Sequence, residues 1–415
     1  MLTAFSWNAG ADNFNYQNAV YRDDIKSVQM YREGNELSFP IMELNSDARL
    51  ILKFDNLAED SKNFSYTVIH CDADWNESFI PQGEYMSGIP DIPIDDYALS
   101  FNTTMKYVNY QVSIPNDNWA PQISGNYALV VFENNDRNNL VLIQRFYIVE
   151  PKVRIEGLVK RAAFDPYNGP NQDVDFKIFT NQIKLTDPVN DIKVVVMQNR
   201  RWDNAIRNLK PRFIQDSELD YDYLKETVFP GGNEFRYFDL RSIRHPGENV
   251  DNIRFFRPYY HVTLLPDVIR SNKDYQYYKE MDGNFVINCQ DRVTDFDTEC
   301  DYVFVHFFLH IPSLLTGGTV NVFGSLTGWN ANQSNEMTWN FDRAGYELTL
   351  LLKQGYYNYE YVYVPQAATK ADAQNIEGSF FQTENDYQII AYYRGQGGRY
   401  DRLVGYVNLN SSVKN

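Results

Sequence analysis

Phe64-Ser-Tyr-Thr-Val-Ile-His70, running into the acidic turn Cys71-Asp-Ala-Asp-Trp-Asn76, is the stretch whose reading decides the fold. In an extended chain alternate residues face opposite sides, so Phe64, Tyr66, Val68 and His70 share one face and Ser65, Thr67 and Ile69 the other. A loop rich in Gly, Pro and Asp follows and leads to Ile94-Asp-Asp-Tyr97. The chain then re-enters strands at Tyr107-Val-Asn-Tyr-Gln-Val-Ser-Ile114 and Asn126-Tyr-Ala-Leu-Val-Val-Phe132, joined by Pro115-Asn-Asp-Asn118, a turn by composition. Ordering a long loop costs entropy that a shorter connection avoids, so a loop kept between paired strands points to a task.

Outward from this stretch the same alternation recurs at short intervals. Ile25 to Tyr31, Arg49 to Phe54, Tyr97 to Asn102 and Leu140 to Val149 complete a set of strands that predicts a two-sheet sandwich over residues 25–150, ended by Glu150-Pro151. Residues 1–24 are polar and Asn-rich and predict an arm. Residues 151–288 predict a second sandwich, with strands at Val153 to Val159, Asp173 to Thr180, Ile192 to Gln198, Phe235 to Leu240 and His261 to Leu265; the acidic run Asp216 to Glu226 predicts an exposed loop or a single turn. Residues 289–415 predict a third, from Tyr302-Val-Phe-Val-His-Phe-Phe-Leu-His310 to Val404 to Leu409. Tyr357, Tyr359, Tyr361 and Tyr363 fall on one face of a strand there. The expected fold class is all-β, three tandem sandwiches of the immunoglobulin or early-set kind, and 31 Tyr and 27 Phe agree with it, since flat rings pack across pleated surfaces.

The formal charge of −17 would repel a phosphate backbone, and no basic patch offsets it, so nucleic acid is not an expected partner. No apolar run approaches the roughly 20 residues that a membrane helix needs. The first residues lack the basic and apolar segments of a signal peptide, which fits a cytoplasmic chain or a trimmed one. Cys289 and Cys300 bracket a short acidic loop between strand-like runs, which fits a hairpin-end disulfide in an oxidising compartment and two thiols in a reducing one; Cys71 is left over.

Chemical motifs are few. His70, Cys71, Asp72 and Asp74 offer a nucleophile, a base and acids, but neighbouring strand residues point apart and no orienting third group can be named, so no catalytic residue is assigned. Asp72, Asp74 and Asn76 have the alternate spacing of a calcium loop, yet Glu77 and Gly83 stand where such a loop needs Gly and Glu. His306 and His310 share a strand face about 13 Å apart by strand rise, too far for one metal. Buried, hydrogen-bonded neutral histidines are the expectation, and neither metal nor cofactor is expected.

Two resemblances follow. Phe323-Gly-Ser-Leu-Thr-Gly-Trp-Asn330, with Gly355 and Tyr359-Glu-Tyr361, resembles early-set modules that include glycogen- and starch-binding domains. In sugar-binding members a Trp at the place of Trp329 stacks on a pyranose and a Lys follows the Tyr; here that position is Glu360, so the resemblance implies the fold more than the ligand. A carbohydrate-binding module using Trp329 and Trp339 is the alternative function. Nearly the whole chain is similar to a second family. Ile25 to Pro40, Thr67-Val-Ile-His-Cys-Asp-Ala-Asp-Trp-Asn76, Pro93-Ile-Asp-Asp-Tyr97, Phe101-Asn-Thr-Thr104, Ser124-Gly-Asn-Tyr127, Gly378 to Tyr387 and Arg399 to Gly405 resemble the plug protein of the type IX secretion system of Bacteroidota. This resemblance implies a periplasmic, non-enzymatic protein that fills the periplasmic mouth of a large outer-membrane β-barrel translocon of the SprA or Sov type when the channel is idle, as a single copy and with its signal peptide removed. The first expected contact surface is the loop from Asp72 to Ile94 with Trp75, Phe79, Tyr85 and Met86; Trp119 is the second. The same rings would serve equally as caps over the core.

Overall fold

The computed structural model describes residues 16–163, 169–223, 225–291, 294–366 and 370–412. Strands dominate, and no α-helix among these residues is longer than four residues. No helix is long and apolar enough to cross a membrane.

The decisive strand, Phe64–Cys71, is buried along its whole length. It pairs antiparallel with Gly125–Glu133, which pairs with Leu140–Val149, in a six-stranded sheet. One face, carrying Phe64, Tyr66 and Val68, meets Leu50, Leu52, Phe54 and Tyr110 of the four-stranded sheet formed by Ile25–Arg32, Leu50–Asn56, Val108–Ile114 and Tyr97–Leu99. The other face, carrying Ile69, Ala128, Val130 and Ile143, meets Val195, Met197, Ile390, Tyr392 and Leu403 of another four-stranded sheet. Beyond that lies a third core, where Val194, Val196, Ile389 and Val404 meet Val174, Phe176 and Ile178. Four sheets are thus stacked face to face with three cores between them. Each fully buried aliphatic or aromatic side chain in these cores contributes about 1.5–3 kcal/mol.

Burial on both faces leaves the polar positions of the shared sheet to be satisfied internally. Ser65 donates to Asn135 Oδ1 at 2.7 Å, Asn126 donates to the Asp72 carbonyl at 2.9 Å, and Tyr392 donates to Asn126 Oδ1 at 2.8 Å.

Strand pairing crosses the division expected at residue 288 in both directions. Ile192–Gln198 pairs with Asp386–Tyr393, which pairs with Arg402–Asn410, so the last strands of the chain complete the middle sheets. Conversely, Arg236–Asp239 and Phe285–Ile287 pair with Gly355–Pro365, and Tyr259–Leu264 pairs with Tyr302–His310. A unit spanning roughly Arg236 to Glu377 is therefore inserted into the middle one. Its core lies between these two sheets, with Phe238, Val305, Phe307, Val322, Tyr357, Tyr359 and Tyr361 inside.

Of the arm expected over residues 1–24, residues 1–15 lie outside the described residues, and the remainder joins the fold. Tyr16 is buried with its N–H donating to the Trp75 carbonyl at 3.1 Å, and Ala19–Val20 pairs with Leu140–Val149. The acidic stretch near Asp216 is also more ordered than expected: Phe213–Gln215 and Glu218–Asp220 form a tight antiparallel pair on the outermost sheet.

Candidate docking surface

The loop after Phe64–Cys71 is built from its first turn. Asp72 Oδ1 accepts from the N–H groups of Asp74 and Asn76 at 2.9 and 3.0 Å, and the Trp75 N–H donates to the Asp72 carbonyl at 3.0 Å. This side-chain mimicry of a backbone turn fixes Asp72 as a turn former, while the Asp74 carboxylate pairs with Arg207 at 3.3 Å. The turn also sets Trp75 in the left-handed region, at φ 69°. That conformation swings the indole inward. Its ring meets Tyr147 and Trp202 edge-on at 5.2 and 6.0 Å, and the Arg145 guanidinium lies over it at 4.3 Å. Trp75 is fully buried, a cap over the second core.

Most of the other expected contact residues are likewise turned inward. Tyr85 ends the short helix Gln82–Tyr85 and donates to the Val68 carbonyl at 3.1 Å. Met86 lies in Met86–Gly88, which pairs with Trp119–Pro121, and both Met86 and Trp119 are buried in the first core. The Trp119 ring packs edge-on against Tyr127 and Phe146 at 5.9 and 6.0 Å. Trp75, Tyr85, Met86 and Trp119 therefore have no ring or thioether surface to offer a partner, because a core was available to each. Phe79 is the exception, 100% exposed between the buried Ile80 and a Ser78 N–H held by the His70 carbonyl. Toward the opposite end of Phe64–Cys71, where Tyr97 packs on Tyr110 and Tyr110 on Phe64, the sheet edge Tyr97–Leu99 exposes Tyr97 and Leu99, with Phe101 just beyond. Sequence reading placed a strand there but not its position at an edge, which is what leaves these side chains uncovered.

The residues that invited an enzymatic reading are separated. His70 sits in an aromatic box of Tyr85, Tyr127 and Tyr400, with Nδ1 2.7 Å from Ser78 Oγ, and burial pushes its pKa down to about 4. Cys71 faces the second core, where burial pushes its thiol up. His306, expected buried, is half-buried; it is hydrogen-bonded as expected, to His261 on the neighbouring strand, Nδ1 to Nε2 2.9 Å, with Thr349 Oγ1 at 2.9 Å on the other nitrogen. His310, expected buried, is exposed at the strand's end. Among the described residues no group of three His, Cys, Asp or Glu is placed to hold a metal.

Cys289 and Cys300 do not close a hairpin. The strands on either side, Phe285–Ile287 and Tyr302–His310, belong to different sheets, and Phe296–Glu299 intervenes as a helical turn. The two buried thiols nevertheless adjoin, and the neighbouring Cys289, with burial, pushes Cys300 up.

Trp329 is no open platform. Its ring packs against Phe235 and Phe323 at 5.9 and 5.6 Å, and a Cβ on Gly283 would lie 2.4 Å from its edge. Glu360, in the place of the sugar-binding lysine, is buried and paired with Arg201 at 3.1 Å.

Residues 25–150 match the family model of the type 9 secretion system plug protein 1st domain. No curated protein matches the chain. The crystal structure of a hypothetical protein from Parabacteroides merdae ATCC 43184 is 36% identical, with 96% of this chain and 100% of that chain covered and a TM-score of 0.92. A crystal structure described as that of a membrane-anchored protein from Corynebacterium diphtheriae is 8% identical over 94% of this chain and 92% of that one, at a TM-score of 0.14, which carries no argument about fold. With its first unit matched by the family model and nearly all of its length matched by the Parabacteroides structure, the chain belongs to the type 9 secretion system plug protein family.

Proposed function

We propose that this chain is a periplasmic stopper that seals the opening of the outer-membrane translocon in its idle state, built as three immunoglobulin-like sandwiches and acting through surface rather than chemistry. The observation that carries this reading is the family match over residues 25–150, the unit that holds the exposed Phe79 and the open edge Tyr97–Leu99. The stacking of sheets around shared cores supports it, because close-packed interiors have low compressibility and a stopper must keep its shape. A reversible seal favours a mostly polar rim with a few aromatic anchors over an extended apolar face. Phe79 at one end of the first unit and Tyr97, Leu99 and Phe101 toward the other are the separate anchors the fold leaves available, in place of the buried rings.

The test is co-purification with the translocon from outer membranes. Wild type brings a giant β-barrel with it, and Phe79→Ala combined with Leu99→Ser reduces that recovery while thermal stability is held. Undiminished recovery removes these anchors from the seal. An empty translocon that stays leak-tight in cells lacking the protein removes the stopper reading itself.

A further inference from the structure

The hairpin of Val250–Phe256 and Tyr259–Leu264 forms one edge of the six-stranded sheet in the inserted unit. Phe255 is opposite Tyr260 and Phe256 opposite Tyr259, so aromatic side chains lie on both faces of its end. Phe255 and Phe256 are 48% and 56% exposed. Phe255 rests on Tyr260 at 4.8 Å and Phe256 on His261 at 5.3 Å, which fixes the rings in place without covering them.

Charge sets this hairpin apart from the rest of the molecule. Asp and Glu outnumber Lys and Arg by 55 to 38 over the chain, yet none lies between Asp251 and Asp267. Arg254 and Arg257 flank the two phenylalanines and are exposed, and their guanidiniums have neither an ion pair nor a hydrogen bond among the described residues. A protein partner lying on the sheet would cover one face and leave the other ring in water. A medium that is apolar on all sides of a narrow tip covers both. Guanidiniums next to buried rings reach back to anionic groups at the boundary, as long basic side chains do at bilayer surfaces. The remaining acidic surface is repelled by the same anionic layer, which orients the molecule tip-first.

We infer that the hairpin at Arg254-Phe-Phe-Arg257 is a membrane-interface anchor that seats on an anionic phospholipid leaflet, Phe255 and Phe256 entering the acyl boundary and Arg254 and Arg257 meeting phosphates. The full-length protein is floated with vesicles of phosphatidylglycerol and phosphatidylethanolamine, and with vesicles of phosphatidylcholine alone. The expected result is binding to the anionic vesicles that weakens in high salt and falls about tenfold or more in Phe255→Ser with Phe256→Ser. Arg254→Gln with Arg257→Gln abolishes the preference for anionic over neutral vesicles. Phe256→Trp keeps binding and shifts its emission to the blue on anionic vesicles, a readout that does not depend on the serine variant folding. Failure of wild type to float, equal floating of wild type and the serine variant at unchanged Tm, or an unshifted emission overturns the inference. So does a hairpin needed for capture of detergent-purified translocon but not for vesicles, which assigns this surface to a protein. The vesicles contain no translocon, so a negative result leaves the stopper reading standing.

Discussion

Lys353 Nζ lies 2.7 Å from Asp55 Oδ2, and both side chains are out of reach of water. The pair joins the inserted unit to the first one. Asp55 also accepts from Tyr302 Oη and Asn109 Nδ2, each at 2.7 Å, and Lys353 donates to the Asp297 carbonyl at 2.7 Å. A buried ion pair with its remaining positions hydrogen-bonded fixes geometry more than it adds stability. Removing one partner is another matter. Asp55→Ala or Lys353→Ala leaves an unpaired buried charge and is expected to cost about 3–5 kcal/mol. Asp55→Ala with Lys353→Ala together is expected to cost clearly less than the sum of the single changes. Urea unfolding of the four proteins in a double-mutant cycle measures this, and additivity would show that the two charges do not act as a pair.

His70 gives a pH dependence with a definite sign. Its folded pKa lies near 4, below the ordinary value of 6.5, because burial among Tyr85, Tyr127 and Tyr400 disfavours the charged ring, with Asp401 and Asp72 pulling the other way and Arg394 reinforcing the shift. Between those two values the unfolded chain binds more protons, so this contribution is complete above about pH 6.5 and is lost as pH falls toward 4. The amount is about 3 kcal/mol. The difference in unfolding free energy between wild type and His70→Gln, followed from pH 7 to pH 4, is expected to shrink by that order; a flat difference would contradict the burial argument.

Glu360 has the opposite sign. Burial raises its carboxyl from 4.5 to about 7 against the pull of Arg201, so the folded state holds a proton that the unfolded state has released. Stability from this group is present below pH 4.5 and is lost as pH rises toward 7. Glu360→Gln, which mimics the protonated form, should therefore gain on wild type as pH is raised through that window. Thermal melts at matched pH values check it.

Trp329 separates a packing role from a sugar-stacking one. With its ring against Phe235, Phe323 and Gly283, Trp329→Ala should cost about 2–4 kcal/mol, below the value for a fully buried ring because part of this one stays exposed. Glycan-array binding by wild type that vanishes in a stably folded Trp329→Ala protein would restore the carbohydrate reading.

Cys289 and Cys300 adjoin while Cys71 lies in a different core. Protein recovered from an oxidising compartment and denatured without reductant should expose only the Cys71 thiol to a thiol reagent, and full titration only after reduction. Three reactive thiols before reduction would show that the two neighbours stay unbonded.

Much of the fold was legible because a buried strand carries a dense apolar run, alternating or continuous, between polar turns. Leu140–Val149, Ile192–Gln198 and Tyr302–His310 fall where the pattern put them, and Tyr357, Tyr359 and Tyr361 share the interior as their spacing requires. Val250–Phe256 escaped notice because an edge strand with exposed Asp251, Arg254, Phe255 and Phe256 has no apolar side to recognise. Phe213–Gln215 and Glu218–Asp220 were masked by the acids around their turn. The interleaving of the middle and last segments rests on Ile192–Gln198 meeting Asp386–Tyr393, a pairing between stretches far apart in the chain that no local pattern encodes. At the docking loop the aromatic positions were legible but not their direction. Trp75 and Phe79 stand four residues apart in one loop, and the turn at Asp72 sends the first inward.

The chain leaves the middle sheets at Val228–Pro230 and returns to them only at Asp386–Tyr393 and Arg402–Asn410. On the ribosome, Ile192–Gln198 must therefore wait without its neighbouring strand, and the outer side of the Phe64–Cys71 sheet without Ile390, Tyr392 and Leu403, through the synthesis of an entire intervening unit. A nascent chain stopped before Asn410 lacks the lid for two interiors at once, which makes the final strands the step that commits the molecule to its finished form.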